Sequence, residues 1–238
     1  MMEGIGWSVL TVLAWGIWLV PTQRCRTTDH LLIAVYVTLG NLLAAIVVAT
    51  MVGAGELRLR TSIHPFLGGI VWAVSGWCAF AAVRQLGTAK AMGIWSPLNI
   101  VVSMLWGAVL FSEFANSTTD ALLVTAAATG LMVAGIVTII SAGSGASAEA
   151  SERGRMRWLG LLPALGAGLL WGSYFIPIRV AEVSLWVAAL PMAMGMFVGS
   201  TVGAALMRRT LRPAAWADLP RLMLAGVLWA AATTDRCE

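Results

Sequence analysis

Long apolar runs separated by short polar segments cover almost the whole chain. Seven runs approach the roughly 20 residues that an α-helix needs to cross a hydrocarbon core. They are continuous and rich in Leu, Ala, Val and Gly, without the period-two alternation typical of transmembrane β-strands. The pattern therefore predicts an all-α, polytopic helical membrane protein. The predicted helices, one to seven, are residues 5–22, 31–55, 65–83, 91–112, 121–141, 158–178 and 183–207.

The composition agrees with this class. Hydrophobic residues make up 59% of the 238 residues and charged residues 11%, and the mean hydropathy is +0.86. A soluble domain carries about 25% charged residues, so this chain has too little charge to coat a soluble surface. The first run follows Glu3 without a basic n-region, and no A-x-A cleavage site follows it. We therefore expect it to stay as helix one and not to be removed as a signal peptide.

A motif in predicted helix one returns in predicted helix six. Residues 13–24 read LAWGIWLVPTQR, and residues 169–179 read LLWGSYFIPIR. A proline inside an apolar helix removes a backbone hydrogen bond, which hydrocarbon tolerates only where neighbouring groups satisfy the freed carbonyl. The chain is therefore a duplication with two matched, bent helices. The recurring residues are Trp15, Gly16 and Pro21, found again 156 residues later as Trp171, Gly172 and Pro177.

The repeat also includes predicted helix three. Its residues Gly69, Trp72 and Ala73 reappear 157 residues later, as Gly226, Trp229 and Ala230. The apolar run at 222–234 is therefore the counterpart of helix three. It has only 13 residues, which is too short to span a membrane.

The spacing of the two copies predicts an inverted repeat. Five crossings precede helix six, so the two halves enter the membrane from opposite sides, as in many secondary transporters. The predicted organisation is a first five-helix repeat at 1–141, a linker at 142–157 and an incomplete second repeat at 158–238. Of an expected 5+5 helices, about seven to eight are present. We therefore expect a C-terminally truncated chain, and a complete relative that continues for roughly two and a half more helices.

Basic residues are distributed unevenly between the two sides of the predicted membrane. The loops after helices one, three, five and seven carry eleven Lys and Arg residues, whereas the opposite loops carry three. The protein is expected in the cell (inner) membrane. By the positive-inside rule, its linker at 142–157 is cytoplasmic and its N-terminus is on the outer side of that membrane. The formal net charge of +4 comes mostly from these loops. No aromatic-interleaved basic patch accompanies it, so we expect no nucleic-acid partner.

The sequence contains no pattern typical of a metal, cofactor or catalytic site. Cys25, Cys78 and Cys237 are widely separated and outside any metal-ligand spacing, so we expect no metal, no cofactor and no disulfide framework. His30 and His64 are predicted to lie in loops without a partner at a suitable spacing. An enzymatic function is therefore not expected.

Small residues recur at four-residue spacing on three predicted helices. Such rows let helix backbones approach each other closely in a membrane. We expect them to pack helices within the chain, although the row on helix seven could equally serve a homodimer. The rows are Gly40 and Ala44 on helix two, Ala126, Gly130 and Ala134 on helix five, and Gly195, Gly199 and Gly203 on helix seven.

The repeated motif and predicted helix four together resemble the drug/metabolite transporter superfamily. The resemblance is carried by WGIWLVP, WGSYFIPIR and LGTAKAMGIWSPLNIVVSMLWGAVLFSEF, and it covers the chain as far as Ala230. Within the superfamily, the sequence is most similar to the glucose/ribose porter and rhamnose-transporter type. The resemblance implies a secondary transporter that moves a sugar or a similar small polar metabolite by alternating access. The alternatives are an EamA-type exporter of metabolites, amino acids or drugs, and an inactive truncated fragment of such a transporter.

Six polar or aromatic residues are candidates for binding the solute. A neutral sugar must exchange water for amide and hydroxyl partners, and aromatic faces suit the C–H faces of a pyranose. In the layout that the resemblance implies, such groups on helices one, three, four and six converge on a central cavity. The alternative for the aromatic residues is an interfacial belt. The candidates are Trp18, Trp72, Trp95, Asn99, Ser173 and Tyr174.

A coupling group is harder to find, because the predicted helices contain no ionisable residue in their interiors. Only such a residue could exchange a proton between the two sides of the membrane. Glu113, at the exit of helix four, is the nearest candidate for coupling to a proton or cation, and is otherwise a solvated helix-end residue. Lys90 could pair with an anionic solute or extend to the interface. Symport is therefore implied by the resemblance alone, and facilitated diffusion stays open.

Overall fold

A computed structural model describes residues 13, 16–18, 20–52, 59–141, 150–207 and 209–233. The regular secondary structure of these residues is entirely helical, which confirms the all-α class. The helices are α1 (Val20–Arg24, a short 3-10 helix), α2 (His30–Val52), α3 (Leu59–Leu86), α4 (Thr88–Leu110), α5 (Thr119–Ser141), α6 (Ala150–Trp171), α7 (Ile176–Val180), α8 (Leu185–Leu206) and α9 (Leu219–Thr233). A second 3-10 helix, Trp216–Asp218, precedes α9.

Six segments of the described chain are long and apolar enough to cross a membrane. They correspond to predicted helices two to seven, so the chain is an integral, polytopic membrane protein. Most of predicted helix one lies outside the described residues, as does Trp15 of its motif. Residues 142–149 of the predicted linker also lie outside them.

Several helices extend beyond the apolar runs that predicted them. Residues 150–157, which were expected to be linker, form the first two turns of α6. His30 is the first residue of α2 and His64 lies within α3, so the prediction that both are in loops is wrong. A helix can extend beyond the apolar run that predicts it, because its backbone hydrogen bonds do not depend on apolar side chains. Between α3 and α4 only Gly87 interrupts the helices, with a positive φ of 78°.

The second motif copy ends in a bend, as predicted, whereas residues 14, 15 and 19 of the first copy lie outside the described residues. The second copy leaves α6 after Trp171 and resumes as α7, with a turn at residues 172–175. The five residues of α1 match the five of α7 at a distance of 156 residues along the chain. In each copy the proline, Pro21 or Pro177, is the second residue of the short helix. A proline is tolerated there because its missing N–H has no partner in the first turn of a helix.

The chain divides into two compact units. Unit 1 consists of Met1–Ala73 and Pro177–Glu238, and unit 2 consists of Val74–Ile176. Helix α3 contributes its first part to unit 1 and its second part to unit 2. Each unit contains residues of both predicted repeats.

Four glycines in unit 1 allow helix backbones to touch. At each, an added Cβ would overlap a backbone carbonyl oxygen of the facing helix, so no side chain larger than hydrogen fits. Two of these contacts join α2 to α9, and the other two join α3 to α8. The glycines and the carbonyls are Gly40 with Met223, Gly226 with Val37, Gly69 with Met192, and Gly195 with Phe66.

These two crossings are related by the sequence repeat. Gly40 and Gly195 are 155 residues apart, as are the carbonyls of Val37 and Met192. The other two glycines, Gly69 and Gly226, are 157 residues apart, and so are the carbonyls that face their partners, those of Phe66 and Met223. Exchanging the repeats converts one crossing into the other, which is local two-fold pseudosymmetry. Two further contacts join repeat-related residues directly. Asn41 Nδ2 donates to Met196 Sδ at 3.2 Å, and the Trp72 and Trp229 rings meet edge to face at 5.0 Å and 63°.

The other small-residue rows have different outcomes. On α8, Gly195 and Gly199 are covered by α3 within unit 1, and a Cβ at Gly199 would lie 2.7 Å from that of Ala73. This row therefore packs helices inside the chain and is not free to form a dimer. On α5 no packing partner is found among the described residues, since a Cβ at Gly130 would meet nothing within 4 Å and Ala126 and Ala134 are exposed.

Candidate functional site

The candidate site in unit 2 is built around the turn at residues 172–175, which separates α6 from α7. Backbone N–H groups satisfy part of it, because Ser173 donates to Leu170 O at 3.0 Å and Ile176 donates to Ser173 O at 3.1 Å. A broken helix in hydrocarbon leaves other backbone groups that protein neighbours must satisfy. In transporters, such breaks also bring backbone dipoles to the solute.

Helix α4 supplies those neighbours. A Cβ at Gly172 would lie 2.6 Å from Val102 Cβ and 2.9 Å from Asn99 O, so the glycine permits close contact with the α4 backbone. The Ser103 hydroxyl lies 3.3 Å from Gly172 O and 3.4 Å from Asn99 Oδ1. Since a hydroxyl has one proton, Ser103 donates to one of these oxygens at a time.

Trp106 holds the next residue of the turn. Its indole Nε1 donates to Ser173 Oγ at 2.8 Å, and Ser173 Oγ donates in turn to Leu169 O at 2.7 Å. The Ser173 hydroxyl therefore has both a donor and an acceptor within the protein. We infer from this geometry that Ser173 mainly fixes the turn, with one lone pair left for a solute.

Asn99 has more hydrogen-bonding capacity to spare. Its Oδ1 is paired with Ser103, whereas its amide N–H₂ group makes no hydrogen bond within the described residues. The side chain is half-buried, one helical turn from Trp95. Trp95 is buried and meets Trp171 edge to face, at 5.6 Å and 77°. An open amide donor beside two indoles is suited to the oxygen and the C–H face of a polyol.

Two more predicted residues can be placed. Tyr174 lies half-buried in the turn and meets Phe175 edge to face at 6.1 Å. Glu113 lies exposed after the end of α4, with its carboxylate beside Gly107 and its N–H donating to Gly107 O at 3.1 Å. This position is typical of a solvated residue at a helix end.

The remaining candidates, Trp18 and Trp72, belong to unit 1. Both are buried, and Trp72 packs on Trp229. Unit 2 thus brings together Trp95, Asn99 and Ser173, whereas the convergence of all six residues on one cavity stays a prediction. Of the motif residues, Gly16 is exposed with open space around it, and Pro21 is half-buried in α1.

Sequence reasoning missed several residues of these clusters. Ser103 and Trp106 are four and seven residues after Asn99, so helical spacing alone places them on its face of α4. Trp229 was identified as the repeat counterpart of Trp72, but its packing against Trp72 was not predicted. Asp218, a buried carboxylate of unit 1, had no such signal, because its partner is 191 residues away.

Comparisons with known proteins agree with the transporter fold. A family model described as Sugar transport protein matches residues 7–235. A Latilactobacillus sakei protein named for ribose uptake, RbsU, is 26% identical over 214 residues, which are 90% of this chain and 68% of that protein. The Bacillus subtilis glucose uptake protein GlcU is 28% identical over 165 residues, which are 69% of this chain and 56% of that protein.

No solved structure matches the chain. The similarity covers only part of the length of these relatives. The family match, in contrast, covers almost all of the 238 residues. This chain therefore belongs to the sugar transport protein family.

Proposed function

We propose that this protein moves a small neutral sugar across the membrane by alternating access. The observation that carries the proposal is the cluster at the break of helix six, where Asn99 offers an open amide donor beside Trp95 and Trp171. A sugar leaves water only if its hydroxyls find new partners, and indole faces bury its C–H surface without requiring a charge.

The charge of the cluster also favours a neutral solute. Its side chains are amide, hydroxyl and indole groups, and none carries a carboxylate, an ammonium or a guanidinium. An anionic or cationic solute would be transferred from water without a counter-charge, which is costly in a membrane interior. The relatives named for ribose and glucose uptake support the same substrate class.

Uptake by the purified chain in proteoliposomes tests the proposal. We expect labelled glucose or ribose to enter, and to enter faster when the lumen is preloaded with unlabelled sugar, because alternating access exchanges solutes at one site. Vesicles with reconstituted but heat-denatured protein are the control. If no monosaccharide moves under any gradient, the sugar assignment is wrong.

The contact from Trp106 to Ser173 predicts a positioning role for Trp106. Trp106→Phe removes only the indole N–H and the second ring, and we expect the KM for sugar to rise about threefold, which corresponds to a weak hydrogen bond. The readout is a double-mutant cycle. If Trp106 acts through Ser173, Trp106→Phe adds little in a Ser173→Ala background, whereas independent packing would make the two effects additive.

A further inference from the structure

Two distant segments of unit 1 meet in what we call the basic junction. One segment, residues 24–29, precedes α2, and the other, residues 209–221, runs from the end of α8 into the start of α9. The hydroxyl oxygen of Thr27 accepts a hydrogen bond from the N–H of Ala214 at 3.1 Å. The N–H and the hydroxyl of Thr27 both donate to Asp218 Oδ2 at 2.9 Å. These contacts fix the two segments side by side.

Five arginines surround the contacts of the basic junction. Arg221 Nη1 lies 3.4 Å from Arg24 O, and Arg209 Nε lies 3.4 Å from Asp29 Oδ2, so three of the arginines take part in contacts between the segments. The other two lie one and two residues along the chain from the hydrogen bond that Thr27 accepts. All five are exposed, and they are Arg24, Arg26, Arg209, Arg212 and Arg221.

The positive charge of the basic junction is not balanced. Its two segments contain five arginines and two carboxylates, Asp29 and Asp218. Asp29 already pairs with Arg209, and Asp218 is 2% exposed, so neither carboxylate is available to the remaining arginines at the surface. Three guanidinium groups have no ion-pair partner within the described residues, those of Arg24, Arg26 and Arg212.

Exposed apolar side chains border these arginines. Leu206, the last residue of a membrane-spanning segment, is 76% exposed, and Met207 is 66% exposed, while Arg209 follows two residues later. Trp216, in the 3-10 helix before α9, is 69% exposed. A tryptophan at the end of an apolar span is typical of the headgroup region of a bilayer. The basic junction therefore lies where lipid headgroups would meet it.

We propose that the basic junction binds the phosphate of an anionic phospholipid, whose acyl chains lie against the exposed end of α8. The planar guanidinium group matches a phosphate with two parallel hydrogen bonds, and clustered basic residues attract anionic lipids. A soluble phosphate would gain the same charge attraction but would leave Leu206 and Met207 uncovered, so the apolar border favours a lipid. A headgroup held by both Arg26 and Arg212 would be a further link between the two segments. This inference does not depend on the proposed sugar transport.

Native mass spectrometry of the whole chain in detergent measures the binding of single lipids. We would titrate the protein with dioleoyl phosphatidylglycerol and with dioleoyl phosphatidylcholine, which have the same acyl chains but differ in net charge. We expect phosphatidylglycerol to bind at least about tenfold more tightly, because each nearby arginine contributes about fivefold to the attraction of an anionic lipid. Equal affinities for the two lipids would overturn the proposal, and this comparison requires no variant.

The double variant Arg26→Gln with Arg212→Gln locates the site. Both side chains are exposed, so we expect the fold to be kept and the affinity for phosphatidylglycerol to fall about 25-fold. The matched control is Arg84→Gln with Lys90→Gln, which removes two positive charges from unit 2. It should leave this affinity unchanged. An equal loss in the control would show that the attraction is a general effect of charge, which would overturn a site at the junction.

A competitor without acyl chains distinguishes a lipid from a soluble anion. Glycerol phosphate, the headgroup of phosphatidylglycerol, should leave the bound lipid in place even in large excess. Its displacement of the lipid would assign the junction to a soluble anion and would overturn the proposal.

Thermal unfolding in nanodiscs tests whether the lipid links the two segments. A ligand that binds only the folded state raises the unfolding temperature. Nanodiscs of phosphatidylglycerol should therefore stabilise the wild type relative to nanodiscs of phosphatidylcholine, and this difference should be lost in Arg26→Gln with Arg212→Gln. The same difference in the wild type and in the double variant would contradict the link.

Discussion

Gly69→Ala is expected to destabilise the folded protein by about 3 kcal/mol, the upper range for overpacking a tight interior. The added methyl would overlap the Met192 carbonyl, and both contacting atoms belong to helix backbones. Neither side can rotate away, so α3 and α8 must separate. The repeat counterpart Gly226→Ala should behave in the same way against Val37, because the two contacts are pseudosymmetric. Thermal unfolding in detergent, followed by fluorescence-detected size-exclusion chromatography, measures both.

Gly130→Ala on α5 is the matched control. A Cβ at this glycine meets nothing within 4 Å, so the substitution should leave the unfolding temperature unchanged or slightly higher. Equal losses at Gly69 and Gly130 would mean that the tight crossings do not limit stability.

Asn99→Ala is expected to lower sugar uptake at least tenfold without lowering the amount of folded protein. Its amide N–H₂ group makes no hydrogen bond within the described residues and can therefore donate to a solute. Losing a single hydrogen bond to the solute costs about 1.4 kcal/mol, which is a factor of ten in affinity. Counterflow in proteoliposomes at several sugar concentrations gives the KM and the maximal rate.

The control for Asn99 is Ser96→Ala. Ser96 is exposed on the same helix, three residues earlier, so its substitution tests the tolerance of α4 without touching the cluster. A parallel loss of uptake and of folded protein in Asn99→Ala would indicate a packing role, and uptake unchanged from the wild type would remove Asn99 from the site.

Apolar length and the repeated motif were enough to predict the membrane-spanning helices and the bend in helix six. Both depend on local properties, since hydrocarbon requires helical hydrogen bonding and a proline favours the first turn of a new helix, where Pro177 lies. The ends of the helices were less predictable. His64 and residues 150–157 are polar enough to resemble loops, yet the helices continue through them.

Contacts between distant segments were beyond the reach of the sequence pattern. The rows at Gly195 and Gly130 have the same four-residue spacing, but within the described part of the chain a backbone faces the first and not the second. Asp218 stands in the short segment between α8 and α9, two residues before Pro220, which resembles an ordinary loop, and its burial comes with the contact to Thr27. Trp106 differs from an interfacial tryptophan only by the presence of Ser173 within reach of its indole nitrogen.

The crossing of α2 and α9 has a consequence for how the protein is made. Gly40 is synthesised 183 residues before Met223, and the backbone carbonyl of Met223 packs against it. At ordinary elongation rates, this separation corresponds to roughly 10–40 s, during which Gly40 lacks the facing backbone of α9. The groove on α2 is therefore completed only when α9 arrives. We conclude that α2 stays without this packing partner through most of synthesis, and that the packing of α9 against α2 is a late step in the assembly of unit 1.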